Sequence, residues 1–365
     1  MMGPIRALQL EDVPQVANLY ELVTRSGSPV ASPGLIRYFE RTLLGHPWFD
    51  PELPSLVYVD EHGQVVGFIG SHVRHMIFKN RHIRAALSGQ LVSHPAVRGR
   101  AVGTLLLRKY LSGPQDMTLT SAGGETTRIW RALGGSVAHL NSISWMRPLH
   151  WRAAGELALD RADKAAWKPV ARPVLAFGQA IAERISATSL RVPQPSTRAE
   201  VLTPQALVEH LPSLTGHLML RPDYDQTFLE WLFREMTAVT ALGNLTRSLI
   251  RDQRGRMLGW YVSYFKKGGI GQVMQIAAKE RDMGPVLNHL FHHARRAGVA
   301  ILSGQLERPL FEPLSQRHCY LHQLGGNLLV HSRDPEITDS VLLGHALLSR
   351  MDGERWMGHP MQPFG

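Results

Sequence analysis

Cysteine is almost absent: Cys319 stands alone among 365 residues. A single thiol forms no intrachain disulfide, and a cysteine-built metal site lacks ligands. A reducing, cytoplasmic setting is therefore expected. Long apolar runs are also missing. A bilayer span needs about 20 apolar residues, and the best candidate, 170–182, is short and broken by Arg172 and Pro173. Residues 1–22 read polar and amphipathic, without the apolar centre of a secretory signal. A soluble protein with no transmembrane segment follows as an expectation. Acidic residues are in deficit, with 30 Asp and Glu against 40 Lys and Arg and a formal net charge of +10. That balance attracts an anionic partner (a polyphosphate cofactor, nucleic acid or a membrane surface), or it only keeps a basic surface soluble. Neither a Gly-x-Ser-x-Gly elbow nor a Walker loop occurs.

What is present suits a folded chain of two domains: 44% of residues are hydrophobic, and the length exceeds one typical domain. Ile5–Leu8 reads as a first strand. Glu11–Pro14 opens a helix with Val16, Leu19, Leu22 and Val23 on one face. A second helix is expected over Leu35–Leu44, and a hairpin over Leu56–Val59 and Val65–His72 around the turn Asp60–Gly63. Another strand, bent or bulged, is expected within Arg74–Ile83. Met117–Thr120 reads as a strand, Glu125–Leu133 as a helix closed by Gly134-Gly135, and Val137–Met146 as one last strand. From Pro148 to Pro195 tryptophans, alanines and basic residues alternate, with helix-like pieces at Trp151–Leu159 and Val174–Ile185. The second half then echoes the first. Arg251–Trp260 can be laid on Val59–Phe68 with Asp, Gly and Gly coinciding, and Leu324-Gly325-Gly326 echoes Leu133-Gly134-Gly135. Between these markers both halves run strand, strand, loop, helix, strand, helix, which points to an internal duplication.

The stretch Leu87–Leu111 organises the first half. Leu87–Ser93 reads as a buried strand, His94–Gly103 as a turn, and Thr104–Leu111 as the start of a helix. A strand that breaks into a Gly/Arg loop and then a helix is a device for holding phosphate. Glycine lets the backbone approach closely, and the free N–H groups of the first turn face the anion. Arg98 and Arg100 flank Gly99 and add charge to that cradle.

The pattern Val92-x-x-Pro95-x-x-Arg98-Gly99-Arg100-Ala101-Val102-Gly103 resembles the acyl-CoA-binding motif of the GCN5-related N-acetyltransferase (GNAT) superfamily, Gln/Arg-x-x-Gly-x-Gly/Ala after a splayed strand end. Arg98 fits its first position and Gly103 its last, while Ala101 replaces the middle glycine. The hairpin at Asp60–Gly63, followed by Gly67-Phe68, is similar to the family's second and third strands. The resemblance spans about 5–149, with a weaker copy over about 199–332. It implies an α+β (mixed α/β) fold of two tandem GNAT-like domains, each a central, mostly antiparallel mixed sheet with a splayed strand pair flanked by helices. The expected divisions are 1–149 with the acyl-CoA loop, a helical connector at 150–198, and a degenerate second domain with the tail at 199–365.

The resemblance also implies a chemistry. Arg98, Gly99, Arg100, Ala101, Val102, Gly103 and Thr104 would hold the pyrophosphate of acetyl-CoA or another acyl-CoA. Leu91, Val92 and Ser93, on the splayed strand end, would bind pantetheine and polarise the thioester. An amine would then attack the thioester directly. Family members often carry a glutamate on this strand; here Ser88, Gln90 and His94 are the candidates. His94 is either a base acting through a water or a turn residue beside Pro95. Where many members place a tyrosine to protonate the thiolate, this sequence has Ile129–Gly135 with Trp130, which is no practical acid. In the second copy, Lys279–Val286, Glu280 and Asp282 bring negative charge and Pro285 removes an amide, so no CoA is expected there; this half would shape an acceptor site or an interface.

His289 and His293 stand four apart on a helix, and His318, Cys319 and His322 cluster, but no full ligand set is evident and no metal is expected. Arg221–Phe233, an acidic turn leading into an aromatic helix, either lines an acceptor pocket or caps a core helix. Asp352–Trp356 is a turn plus an aromatic that docks the tail, and Gly358–Gly365 is expected to be loose. The expected activity is N-acylation of an amine on a small molecule, amino sugar or peptide. Alternatives are a mycothiol-synthase-like or aminoacyl-tRNA-dependent transferase, with tRNA as partner, and a non-catalytic acyl-CoA-binding or scaffolding protein. A homodimer is compatible with all of these.

Overall fold

The computed structural model describes residues 4–150, 153–155, 157, 192–323, 325–353, 355–357 and 362–364. Most of the two helical pieces expected within 151–185 lies outside them. The strands are β1 (Ile5–Ala7), β2 (Leu56–Val59), β3 (Val65–Phe78), β4 (Arg81–Ser93), β5 (Met117–Ala122), β6 (Ser136–Ala138), β7 (Ser144–Pro148), β8 (Arg198–Val201), β9 (Leu220–Pro222), β10 (Asn244–Arg251), β11 (Met257–Phe265), β12 (Ile270–Ala278), β13 (Ile301–Gln305), β14 (Tyr320–His322) and β15 (Asn327–Ser332). They form two mixed sheets. The first runs β1-β2-β3-β4-β5-β15-β6, with β9 added to β3; the second runs β8-β10-β11-β12-β13-β7-β14.

The two orders match position for position. Four antiparallel strands lead to one short parallel pair, Ala85–Leu87 on Met117–Leu119 in the first sheet and Ile270–Gln272 on Ile301–Ser303 in the second. Two antiparallel strands close each sheet. Their source is crossed: β15, from the second half, lies beside β5, and β7, from the first half, lies beside β13. The single strand expected over Val137–Met146 is therefore two strands in different sheets. A helical turn, His139–Ser142, parts them. Asn141 and Ser142 are poor strand formers, and the Ser142 hydroxyl ties the turn by donating to the Ala138 carbonyl (2.7 Å).

The aligned hairpins share their hydrogen bonds. Asp60 Oδ1 accepts the N–H groups of His62 and Gln64, and Asp252 Oδ1 accepts those of Arg254 and Arg256, all at 2.9 Å. Gly63 and Gly255 supply the left-handed residue each turn requires, at φ 78° and 84°. A second expectation changes here: Val65–Ser93 is one long hairpin, not three strands. It turns at Lys79-Asn80, both at positive φ (46° and 67°), a two-residue geometry that the sequence does not advertise with glycine. The far end of this hairpin reaches the second half through β9 and through Lys79–Glu336 and His82–Asp223 contacts.

Helices fill the layers. α1 (Val13–Thr24) and α2 (Pro33–Phe39) bury Val16, Tyr20, Leu35 and Phe39 against the helix Gln226–Ala238, in a core shared by both sheets. Asp225 caps that last helix by accepting the Phe228 N–H (2.7 Å), while Trp48 stacks on Phe228. On the other face of the first sheet, α3 (Val102–Leu111) and α4 (Gly124–Ala132), the latter through Trp130, pack over Ile69, Ala86 and Leu329. The C-terminal segment threads between the sheets and buries Met351, Trp356 and Met357. Gln362 and Phe364 are held as well, the first at Ala241 and the second against Tyr38 and Arg25, so these tail residues are docked and not loose.

Candidate active site

β4 and β5 part company after Leu87–Leu119. One side chain bridges the opening: the Thr120 hydroxyl donates to the Ser88 carbonyl at 2.8 Å. From Gly89 to Ser93, β4 pairs only with β3. Its register slips here, so Gln90 and Leu91 both face Ile69, and Gln90 takes φ 48°. The parallel ladder has thus been opened into a cleft whose edge strand carries unpaired backbone groups.

The arginine loop closes one side of that cleft. Pro95–Val97 makes a 3-10 turn, Gly99 sits at φ 90°, and Ala101 enters α3 from the left-handed region at φ 54°. No side chain caps α3. The Leu105 N–H is the first to close a helical bond, onto the Ala101 carbonyl (3.0 Å), so the amides of Val102, Gly103 and Thr104 have no intrahelical acceptor. Arg98 and Arg100 are exposed beside them. Gly67, on β3, makes room: a Cβ there would come within 2.5 Å of the Val102 side chain.

The three expected catalytic side chains each have a distinct setting. His94 Nδ1 accepts the Ala96 N–H at 3.1 Å, which gives it a turn-holding contact. Ser88 is buried in the strand. Gln90 is buried too, with Oε1 3.3 Å from His72 Nε2 and Nε2 3.8 Å from Met357 Sδ. Trp130, in the place of the tyrosine, is a core residue whose indole N–H donates to the Val330 carbonyl (3.1 Å). Two histidines of the second half are engaged as well, His289 with Thr197 and His293 with the Tyr261 hydroxyl, both at 2.8 Å.

At the foot of the cleft, on the face away from α3, lies a cavity of about 320 Å³. Leu87, Leu119 and Thr120 bring it to the splay. Asn141, Ser142 and Ser144 come from the crossing between the sheets, Gln272 and Gln305 from the second sheet, and Leu348–Arg350, Asp352, Gly353 and Arg355 from the C-terminal segment. Asp352 is fully enclosed. It accepts the Tyr224 hydroxyl, and the Ser349 N–H (2.9 Å) and hydroxyl (2.6 Å). Burial raises its pKa above the usual carboxylate range, against the pull of those donors. Tyr224 is in turn contacted by Gln275. Glu307, just beyond β13, is pushed up to about 8 by burial and by Asp352. From the sequence Asp352 reads as part of a tail turn, and Tyr224 lies in a segment that either lines an acceptor pocket or caps a core helix. The available signal was Ser349-Arg350-Met351-Asp352 set among Leu347, Leu348 and Trp356: charge inside an apolar run must be buried with partners or face a cavity.

The second half lacks a comparable cradle. At the start of the helix Glu280–Arg296, the Asp282 N–H is bonded to the Lys279 carbonyl, its carboxylate is clamped by Arg256 through two 3.0 Å bonds, and Pro285 has no N–H.

No family model matches the chain, and no curated protein matches it in sequence. Solved structures do match. A conserved protein of unknown function from Enterococcus faecalis, given as a probable N-acyltransferase, aligns over 93% of this chain and 73% of its own at TM-score 0.58 and 9% identity. A GCN5-related N-acetyltransferase from Kribbella flavida aligns over 90% and 71% at 0.54 and 13%. Saccharomyces cerevisiae N-myristoyltransferase with bound myristoyl-CoA aligns over 91% and 80% at 0.54 and 12%. The chain has the GNAT fold. In this GNAT fold β4 and β5 are the splayed pair, and the likeness covers both sheets together.

Proposed function

We propose that this chain is an acyl-CoA-dependent N-acyltransferase that moves an acyl group, in the simplest case acetyl, onto the amine of a small polar molecule. The observation that carries the reading is the open β4–β5 pair, with an uncapped helix start on one face and, on the other, a cavity that holds both charged and neutral polar side chains. The pyrophosphate of the co-substrate would lie on the Val102, Gly103 and Thr104 amides, with Arg98 and Arg100 adding charge. Pantetheine would run along Leu91–Ser93 and complete the interrupted ladder. The thioester would then reach the splay beside the Gln90 bulge, where β4 backbone groups stabilise charge developing on its oxygen.

The acceptor amine would enter from the cavity. An ammonium must lose a proton before it attacks, and a carboxylate raised by burial accepts one more readily than an exposed one. Asp352 is the candidate base, with Ser349 and Tyr224 positioning it; His94, Gln90 and Ser88 then shape the loop and the bulge. Two sides of the cavity come from the second half, so that half would serve the acceptor and not the CoA. A cavity of about 320 Å³ suits a small amine better than a peptide or a tRNA end.

The test is an acetyl-CoA titration followed by thermal unfolding, then thiol release across an amine panel. Stabilisation that is lost in Arg98→Ala plus Arg100→Ala supports the loop assignment; none at all sinks it. Asp352→Asn should bind CoA normally and lose at least about 100-fold in turnover, the usual scale for a general base. Co-purifying tRNA that dissociates at high salt would point instead to the aminoacyl-tRNA-dependent alternative.

A further inference from the structure

The cavity has two unlike poles. Asp352 forms one, answered by Tyr224, Ser349 and the more distant Arg74. Arg350 forms the other. It lies on the cavity wall with 4% of its surface exposed. Its Nη1 donates to Gln272 Oε1 (2.7 Å) and to the Ser303 carbonyl (3.3 Å), and its Nη2 donates to the Ser144 hydroxyl (3.1 Å). A guanidinium has five N–H groups. The Nε–H and one Nη2 hydrogen therefore have no acceptor among the described residues. No described carboxylate lies within ion-pairing distance of it either. The nearest charge acting on it is Arg355, also on the cavity wall, and burial together with Arg355 lowers its pKa to about 9. It thus remains a cation at neutral pH, enclosed and without a counter-ion. Asn141, on the same wall and buried, has an Oδ1 with no hydrogen-bond partner.

Burying a cation without a counter-charge is costly, and the hydrogen-bond partners of Arg350 are all neutral while its charged neighbour Arg355 repels it. Those neighbours aim the guanidinium and leave part of its fork for something else. We infer that the cavity takes an acceptor carrying one anionic group, a carboxylate or a phosphate, which binds Arg350 while its amine stands toward Asp352 and the splay. The remaining wall, with Thr120, Ser121, Ser142 and Gln305, offers hydroxyl and amide groups to a polar middle. This inference rests on the acceptor site proposed above and adds the chemistry that the acceptor must bring.

The test uses matched amines at fixed acetyl-CoA, with and without the anion: amino acids against their decarboxylated amines, and phosphoethanolamine against ethanolamine. Anionic members should show a kcat/KM about 10- to 100-fold higher, the range for one charge-assisted contact. Arg350→Gln and the charge-keeping Arg350→Lys should both erase that preference through KM, with CoA-induced stabilisation unchanged. A parallel binding measurement uses glutarate and inorganic phosphate, which carry no amine, and reads thermal stabilisation of wild type against Arg350→Lys. Stabilisation by one of them that the variant loses supports the inference and tells carboxylate from phosphate. Equal turnover of matched pairs, or no anion stabilisation where no amine reacts, overturns it. If CoA itself fails to bind, the underlying transferase reading fails, and the anion measurement still judges Arg350 separately.

Discussion

Gly103 separates a binding site from a mere helix start. It is the second residue of α3, has ordinary helical φ, and an added Cβ would meet nothing within 4 Å. Replacing glycine by alanine at such a helical site removes backbone freedom from the unfolded chain and stabilises by about 0.5–1 kcal/mol. For a chain of this length, with an unfolding entropy of about 2.1 cal/mol/K per residue, that raises Tm by about 1 °C. If the open space is where pyrophosphate lies, the same methyl pushes the anion off two amides. Each charge-assisted bond lost there weakens binding by about 1.5 kcal/mol.

The two effects have opposite signs in one assay. With acetyl-CoA at 100 times its Kd, wild type gains about 2.7 kcal/mol, close to 3–4 °C. Gly103→Ala, bound about 100-fold more weakly, would gain only about 0.4 kcal/mol at the same concentration. The variant should therefore unfold higher than wild type when empty and lower when acetyl-CoA is present. Thermal unfolding with and without the co-substrate reads both. A variant that is stabilised when empty and keeps the full ligand shift would refute the placement of phosphate at α3.

Other outcomes test single links. Trp130→Phe removes a buried indole and its bond to Val330; it should cost about 2–4 kcal/mol in urea unfolding and leave CoA binding intact, whereas a loss of turnover at unchanged stability would make Trp130 chemical. Asp60→Ala and Asp252→Ala each free two N–H groups in matching turns, so both should lower the urea midpoint, Asp252→Ala the more because it also loses the Arg256 contact. Glu307 keeps a proton in the folded state up to about pH 8 that the unfolded chain releases near 4.5. Its contribution therefore favours folding at low pH and is lost as pH rises through that window, by up to about 1.4 kcal/mol per unit. Denaturation midpoints followed from pH 5 to 8 should slope less in Glu307→Gln; an unchanged slope rejects the assignment.

The arginine loop and the helix start after it were legible because their signals are local. Gly99, Gly103 and the paired arginines follow an apolar strand within a dozen residues, and the turn geometry depends only on neighbours. The matching hairpins were legible for the same reason: Asp60 and Asp252 each bond to backbone two and four residues on. The strand exchange left no such trace. Val137–Met146 has one apolar pattern whether it forms one strand or two, and only the partner across the sheet tells them apart. The cavity was hidden for a related reason. Its walls come from residues 87, 120, 144, 272, 305 and 350, and no window of sequence contains them together.

The exchange also bears on the proposed division of labour between the halves. β7 brings Ser144 into the second sheet, where it meets Arg350; β15 brings Leu328 into the first sheet beside Leu119. Each exchanged strand thus places a cavity residue against the other half's sheet, and the cavity closes only when both are seated. The second half carries no phosphate cradle, since Asp282, Arg256 and Pro285 occupy the equivalent helix start. Gln272, Gln305 and the C-terminal turn instead line the cavity, and would wall the proposed acceptor site. Under the proposed function, one half would open its sheet for a thioester and the other would close the far side of that opening, making one site with two unlike entrances.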